Sequence, residues 1–203
     1  MTFKAKSAKS TATPFLKLSS QYVKSVDQYK YLGIVLDTEL SDDKDIQRQL
    51  RYQYCAANKL RASFSRCSNA VKNVLFHSFC TPMYASQLWC NFKKSYMQRL
   101  RVAYNFECRA LYDLSWRESV RSHQVQCNIP SFEALIRKYT YLFLERCRKS
   151  NNVWLRALMQ SDCLYSSLFF EHYNRILLCE WVIELCSVIW SMACQATMLS
   201  YFI

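Results

Sequence analysis

Ser41–Arg66 reads SDDKDIQRQLRYQYCAANKLRASFSR, and Ile46, Leu50, Tyr54, Ala57, Leu60 and Phe64 recur in it at steps of three and four. That spacing follows the 3.6-residue turn and lines up one apolar face of a helix. Ser41, Asp42 and Asp43 stand at its start. They offer an N-cap and acidic first-turn charges that suit the positive end of the helix dipole. Arg48, Arg51, Lys59, Arg61 and Arg66 occupy other positions around it. A long helix with a basic exterior is therefore expected here.

Toward the C-terminus the helical pattern repeats. A second helix starts at about Ser68 with Val71, Val74, Leu75 and Phe79, and Pro82 should end or kink it. Tyr84, Leu88 and Phe92 continue the apolar pattern as far as Lys93-Lys94. A third segment carries Met97, Leu100, Tyr104 and Leu111 with Arg99, Arg101 and Arg109 among them. Residues 115–130 lose periodicity, end in Ile129-Pro130 and read as a loop. Ser131 caps a helix with Phe132, Leu135, Ile136, Tyr139 and Leu142, which finishes in Arg146, Arg148 and Lys149, the charge sign favoured at a C-terminus. Ser150-Asn151-Asn152 breaks the chain before a short helix around Trp154–Leu158.

Toward the N-terminus the period changes. Residues 1–13 form a loose basic lead-in, Phe15–Leu18 and Gln21–Val26 alternate enough for strands, and Tyr29–Asp37 (YKYLGIVLD) is a better one. Gly33, the only glycine, lies inside it, which suggests a bulge or a close approach by another backbone. The expected fold is mainly α, with a small antiparallel sheet at the start. One Gly and three Pro are too few for an all-β chain of many tight turns.

Formal charge is +12, unevenly spread. Residues 1–160 hold 26 Lys and Arg against 11 Asp and Glu, whereas 161–203 hold only Arg175 against four carboxylates. The first part attracts polyanions through salt-sensitive contacts, or is simply a solvated basic surface. Eleven irregularly spaced cysteines, with no C-x-x-C and no zinc-finger spacing, read as reduced and mostly buried thiols of an intracellular protein. No apolar signal opens the chain. Leu185–Ile203 lacks Asp, Glu, Lys and Arg over a bilayer-spanning length, but Ser187, Ser191, Gln195, Thr197 and Ser200 dilute it. It reads as a packed or poorly folded apolar helix, with a membrane anchor as the alternative.

Catalytic signatures are missing from the residues. Asp42 and Asp43 are the only adjacent aspartates, and N-capping suits their place better than metal binding. His77 sits among Leu75, Phe76 and Phe79 and reads as a core or boundary residue, and no Cys is read as having a local His partner. No metal site is assigned. What remains is the interleaving of Lys93, Lys94, Tyr96, Arg99, Arg101 and Tyr104. Basic groups there could track phosphates while an aromatic stacks on a base; the alternative is a helix with its Tyr in the core and its Arg in water.

Tyr29-Lys30-Tyr31-Leu32-Gly33-Ile34-Val35-Leu36-Asp37 resembles the (F/Y)-K-Y-L-G-(V/I)-x-L-D segment of non-LTR (LINE-type) retrotransposon reverse transcriptases. Tyr84-Ala85-Ser86-Gln87-Leu88-Trp89-Cys90 resembles the Y-x-S-x-L-W stretch of their thumb and post-thumb region. Lys94-Ser95, Leu100–Asn105 and Phe132–Lys138 continue the likeness in order, over about 1–160. The resemblance implies that 1–40 is the end of a palm, with a primer-grip hairpin carrying Tyr31, Leu32 and Gly33. It implies that 41–160 is a helical thumb-like bundle, with Lys93, Lys94, Arg99 and Arg101 on the backbone of an RNA/DNA primer–template duplex. Residues 161–203 diverge.

The (F/Y)-x-D-D motif that the family carries before its YLG segment has no match, and Leu40-Ser41-Asp42-Asp43 lies after that segment and lacks the aromatic. The expectation is a remnant of an RNA-directed DNA polymerase, inactive alone, binding primer–template at most, or binding nothing if it is a relic. The chain itself would hold no cofactor, although the complete family enzyme would use Mg²⁺. Nucleus or cytoplasm is the expected location, and a membrane-associated protein anchored by its tail is the alternative.

Overall fold

The computed structural model describes residues 1, 3 and 16–177. The charge-free stretch 185–203 and most of the basic lead-in lie outside the described residues. The chain divides into two compact units, Met1–Tyr139 and Thr140–Ile203.

The first unit opens with two separate hairpins instead of one sheet. β1 (Lys17–Leu18) pairs antiparallel with β2 (Gln21–Tyr22), and β3 (Gln28–Tyr31) with β4 (Ile34–Asp37). Tyr29–Asp37 is thus not one bulged strand. It reverses at Leu32-Gly33, where both residues have positive φ (47° and 84°). Two left-handed residues make the tight turn whose twist matches a hairpin. Leucine tolerates that conformation at some cost, whereas glycine adopts it freely. The close approach at Gly33 is by a side chain, because a Cβ there would lie 3.1 Å from Cε1 of Tyr84. Gly33→Ala should therefore lower stability by about 1–2 kcal/mol, from backbone strain plus the Tyr84 contact, measurable as a drop in denaturant midpoint.

α1 (Asp43–Phe64) is the long helix expected from its spacing, but its buried face is partly polar. Ile46, Leu50, Ala57 and Leu60 are buried as read, while Tyr54 and Phe64 are exposed. Asp45, Gln49 and Gln53, one turn apart from each other, are almost fully buried beside the apolar residues. Each meets a group that lacks a ladder partner. Gln53 Nε2 donates to the Cys80 carbonyl and Gln49 Nε2 to that of Pro82, each at 3.2 Å.

Those carbonyls belong to the end of the second helix. α2 (Asn69–Leu75) passes into a single π turn, Phe76–Cys80, before Pro82 stops it. Here the sequence reading chose the wrong face. Val71, Val74 and Phe79 are exposed, and Phe76 and Cys80 are fully buried. His77 is exposed, neither core nor boundary. Tyr84–Phe92 does not extend a helix: one 3₁₀ turn (Ser86–Leu88) interrupts an irregular segment, with Met83, Ala85 and Trp89 buried and Tyr84 and Leu88 outside.

α3 (Lys94–Tyr112) packs along α1 and supplies the centre of the core. Phe76 and Tyr104 meet edge-on at 5.5 Å between ring centroids, and Tyr104 lies 6.1 Å from Phe132. The Tyr104 hydroxyl donates to the Pro130 carbonyl at 2.8 Å. A short helix, α4 (Val120–Gln126), occupies part of the stretch read as a loop. Ser119 caps it by accepting from the Ser122 N–H, and Val120 and Gln124 face inward. Seven residues carry too few apolar steps to register as periodic. α5 (Phe132–Arg148) begins at the expected Ser131 cap and runs across the division between the units.

In the second unit α6 (Val153–Met159), α7 (Asp162–Tyr165) and α8 (Leu168–Leu177) follow. Phe143 and Phe169 meet edge-on at 6.3 Å, and Phe170 packs against both Tyr165 and Tyr173. Glu145 pairs with Arg148 and Lys149, which holds its carboxyl below the usual range. Among the described residues no disulfide forms, and of eight described cysteines only Cys80, Cys108 and Cys147 are buried, fewer than the sequence reading expected.

Candidate nucleic-acid interface

The hairpin tip is fixed by residues far from it in sequence. Asp45 is the centre of that connection. Its Oδ1 accepts from the Val35 N–H of β4 at 3.1 Å and from Arg48 Nε at 2.6 Å. Its Oδ2 accepts from Trp89 Nε1 at 2.9 Å and from the Arg48 guanidinium at 3.2 Å. The same guanidinium donates to the Tyr84 carbonyl, and the Tyr84 hydroxyl donates to the carbonyl of Leu32 at 2.6 Å. One buried carboxylate thus ties the YLG hairpin, the start of α1 and the Tyr84–Trp89 segment into one piece. Tyr31 and Leu32 stay 57% and 72% exposed at its tip, free to meet a partner.

The neighbouring aspartates hold the next segment. Asp42 occupies the N-cap position of α1, yet its side chain does not cap that helix. Its Oδ2 accepts instead from the N–H groups of Cys90 and Asn91, at 2.8 and 2.7 Å. Asp43 Oδ1 accepts from the Lys93 N–H at 2.9 Å. Residues 90–93 lie in no helix or strand, so their N–H groups need side-chain acceptors, and these carboxylates outbid the helix cap. Burial raises the Asp42 carboxyl above its ordinary value, against the opposing pull of those two N–H groups. No cluster of three metal-binding side chains occurs among the described residues.

The basic residues fall into two sets. Lys93 and Lys94 stand exposed at the N-terminus of α3, with Lys93 Nζ 3.9 Å from Asp43 Oδ2. Arg99 lies over the Tyr96 ring at 5.8 Å. Arg101 donates to Glu133 of α5 at 3.3 Å. Residues two apart do not share a helix face, so Arg99 and Arg101 flank opposite borders of the exposed side of α3. Tyr104 is fully buried and cannot stack on a base. Tyr96 remains the aromatic at this surface.

The sequence reading also missed a pair at the C-terminal end of α4. His123 and Cys127 sit one turn apart, with Sγ and Nε2 3.4 Å from each other, and the Tyr112 ring packs on the imidazole at 4.3 Å. Burial lowers the His123 pKa, with Glu118 opposing. The i, i+4 spacing is visible in the sequence, but only once this stretch is read as helix.

Comparison with known proteins bears on this geometry. No family model matches the chain, and no solved structure does. Two curated proteins of Drosophila melanogaster do. The chain is 25% identical over 155 residues to the probable RNA-directed DNA polymerase from transposon BS, which covers 74% of this chain and 17% of that protein. It is 23% identical over 150 residues to the RNA-directed DNA polymerase from mobile element jockey, covering 71% of this chain and 16% of that one. The chain resembles a segment of a non-LTR retrotransposon reverse transcriptase. It spans about a sixth of the length of these relatives. The likeness to reverse transcriptases read from Tyr29–Asp37 and Tyr84–Cys90 thus agrees with this match. Those two blocks, 47 residues apart, are the ones that Asp45, Arg48 and Tyr84 bring into contact.

Among the described residues no helix is long and apolar enough to cross a membrane. The stretch on which the membrane alternative rested lies outside them.

Proposed function

We propose that this chain is a reverse-transcriptase-derived module that grips an RNA/DNA primer–template duplex without sequence preference and without catalysis of its own. The observation that carries the reading is the hairpin. Its tip presents Tyr31 and Leu32 to the outside, while Tyr84, Arg48 and Asp45 lock it to a helix whose far side is basic. A tip held this way can press on a strand end without yielding. Lys93, Lys94 and Arg99 then supply phosphate contacts along one side of α3, and Arg51, Lys59 and Arg61 do so on the exposed side of α1. The division into a palm end (1–40), a thumb-like body (41–160) and a divergent tail belongs to the same proposal.

Binding of the full chain to a primer–template duplex across a salt series tests it. Affinity should fall steeply with salt, each lost phosphate contact lowering the log–log slope by about 1. Arg99→Ala and Lys94→Ala should each weaken binding severalfold on every sequence tried. No binding at low salt by a folded chain would leave ancestry alone. Primer extension in Mg²⁺ by the purified chain would refute the absence of catalysis.

A further inference from the structure

We infer that the crease between α1 and α3 seats an unpaired nucleotide of an RNA strand, its base stacked on Tyr54 or Phe106 and its phosphates held by arginines. The two helices run parallel, since Lys93 lies by Asp43 at their starts and Phe106 by Tyr54 midway along. Further along α3 than Tyr96, the Tyr54 and Phe106 rings meet at 5.7 Å between centroids and 53° between planes. Neither ring lies flat on the other, and the two residues stay 39% and 37% exposed. Val102, one turn before Phe106 on the same face, is exposed too and lengthens the apolar strip. Tyr54 belongs to the apolar series of α1, yet it stands outside the core.

Charge says what covers this strip. Residues 46–112 hold eleven Lys and Arg against one carboxylate, Glu107, which is buried in the core. Arg51 lies one turn before Tyr54 and Arg61 two turns after it, both exposed, and Arg99 is exposed two turns before Phe106. None of these three arginines forms an ion pair among the described residues. An apolar strip flanked by free guanidinium groups fits a partner that is anionic along its backbone and carries flat apolar groups. A nucleotide chain is such a partner, whereas an acidic peptide would satisfy the arginines and leave the rings bare. A duplex presents phosphates and groove edges to a protein, while its base faces are stacked on one another. Only an unpaired base offers these rings a flat face, and any base will serve because each has a π face. The choice of RNA rests on the proposed function, in which the RNA template is the strand left partly unpaired. The stacking seat does not depend on the duplex grip.

The test is binding of the full chain, at one salt concentration, to a single-stranded RNA oligonucleotide and to an abasic strand of the same length. Wild type should prefer the strand with bases. Tyr54→Leu and Phe106→Leu should each weaken binding to it about tenfold and leave the abasic strand unchanged. Tyr54→Phe keeps the ring and should stay within about twofold of wild type. Arg99→Ala should weaken both strands alike, because they share their phosphates. Tyr52→Leu makes the same change on another side of α1 and should alter neither. Equal affinity of wild type for the two strands would overturn the seat whatever the variants do. So would unchanged binding in Tyr54→Leu and Phe106→Leu, or a matching loss in Tyr52→Leu, thermal melts having shown that each variant folds. Polyglutamate binding that Phe106→Leu weakens as much as RNA binding would point to a protein partner and overturn the base. A DNA strand bound more tightly than the RNA would overturn RNA as the source. A blunt duplex that fails to bind, while RNA binds through the rings, would sink the duplex grip and keep the seat. Salt-dependent duplex binding with no role for the rings on the single strand would do the reverse.

Discussion

Asp45→Ala should cost about 3–5 kcal/mol of stability, the range for removing one member of a buried, hydrogen-bonded ion pair. The side chain is 1% exposed and accepts from the Val35 N–H, the Trp89 indole and the Arg48 guanidinium. Alanine leaves all three donors without that acceptor in a place water barely reaches. The hairpin should then detach from α1, since Val35 and Arg48 are two of its holds. Trp89 gives the readout: its emission should shift to longer wavelength as the indole loses its buried partner. If Asp45→Ala fails to fold, Asp45→Asn decides the matter. The amide keeps the size and can still accept from the indole, so it should cost less than Ala and retain the Trp89 signal. Equal stability of wild type and Asp45→Asn would mean that the charge contributes nothing to the Arg48 contact.

Glu107→Gln should do the opposite and stabilise the protein at neutral pH. Glu107 is fully buried in α3, neither carboxyl oxygen has a hydrogen-bond partner, and burial pushes its pKa up to about 10, the adjacent Cys80 thiol opposing only in part. The folded protein therefore holds this carboxyl protonated at pH 7, while the unfolded chain releases the proton near its ordinary value of 4.5. With the folded pKa above the unfolded one, stability from this group is fully present below pH 4.5. It is lost progressively as pH rises through 10. Between those limits it declines by about 1.4 kcal/mol per pH unit, a cost of about 3 kcal/mol at pH 7 that Gln does not incur. Denaturant melts of wild type and Glu107→Gln from pH 5 to 9 should diverge steadily, with the variant nearly flat. Parallel curves would sink the assignment. The same burial raises the Cys108 thiol to about 12, so Cys108 is poorly placed to be a nucleophile.

How far the fold was legible depended on whether the deciding forces were local. The long helices α1, α3 and α5 followed from three-and-four spacing, and Ser131 from its place before an apolar run. Failures came where tertiary contacts overrode pattern. Val71, Val74 and Phe79 make a good apolar series, yet the fold turns the series Lys72, Phe76 and Cys80 inward and leaves the other outside. In α1, Gln49 and Gln53 look like solvent-facing residues, but the carbonyls freed at Cys80 and Pro82 draw them into the core. Leu32-Gly33 carried a turn signal in one glycine only, because leucine seldom takes positive φ.

The sequence by itself determined the helical class, the separation of a basic body from an apolar end, and the Tyr29–Asp37 and Tyr84–Trp89 blocks that link the chain to reverse transcriptases. These are properties of neighbouring residues: hydrophobic period, turn chemistry, charge count and short motifs. Only the tertiary structure decided what each polar group does. It gave Asp42 to the N–H groups of residues 90 and 91, made Asp45 the joint between hairpin and helix, and parted Arg101 from Arg99. It also buried Tyr104 and left Gln124 Nε2 unpaired. A buried polar atom must find its partner wherever the fold brings one within about 3 Å, and that distance has no counterpart in the order of residues along the chain.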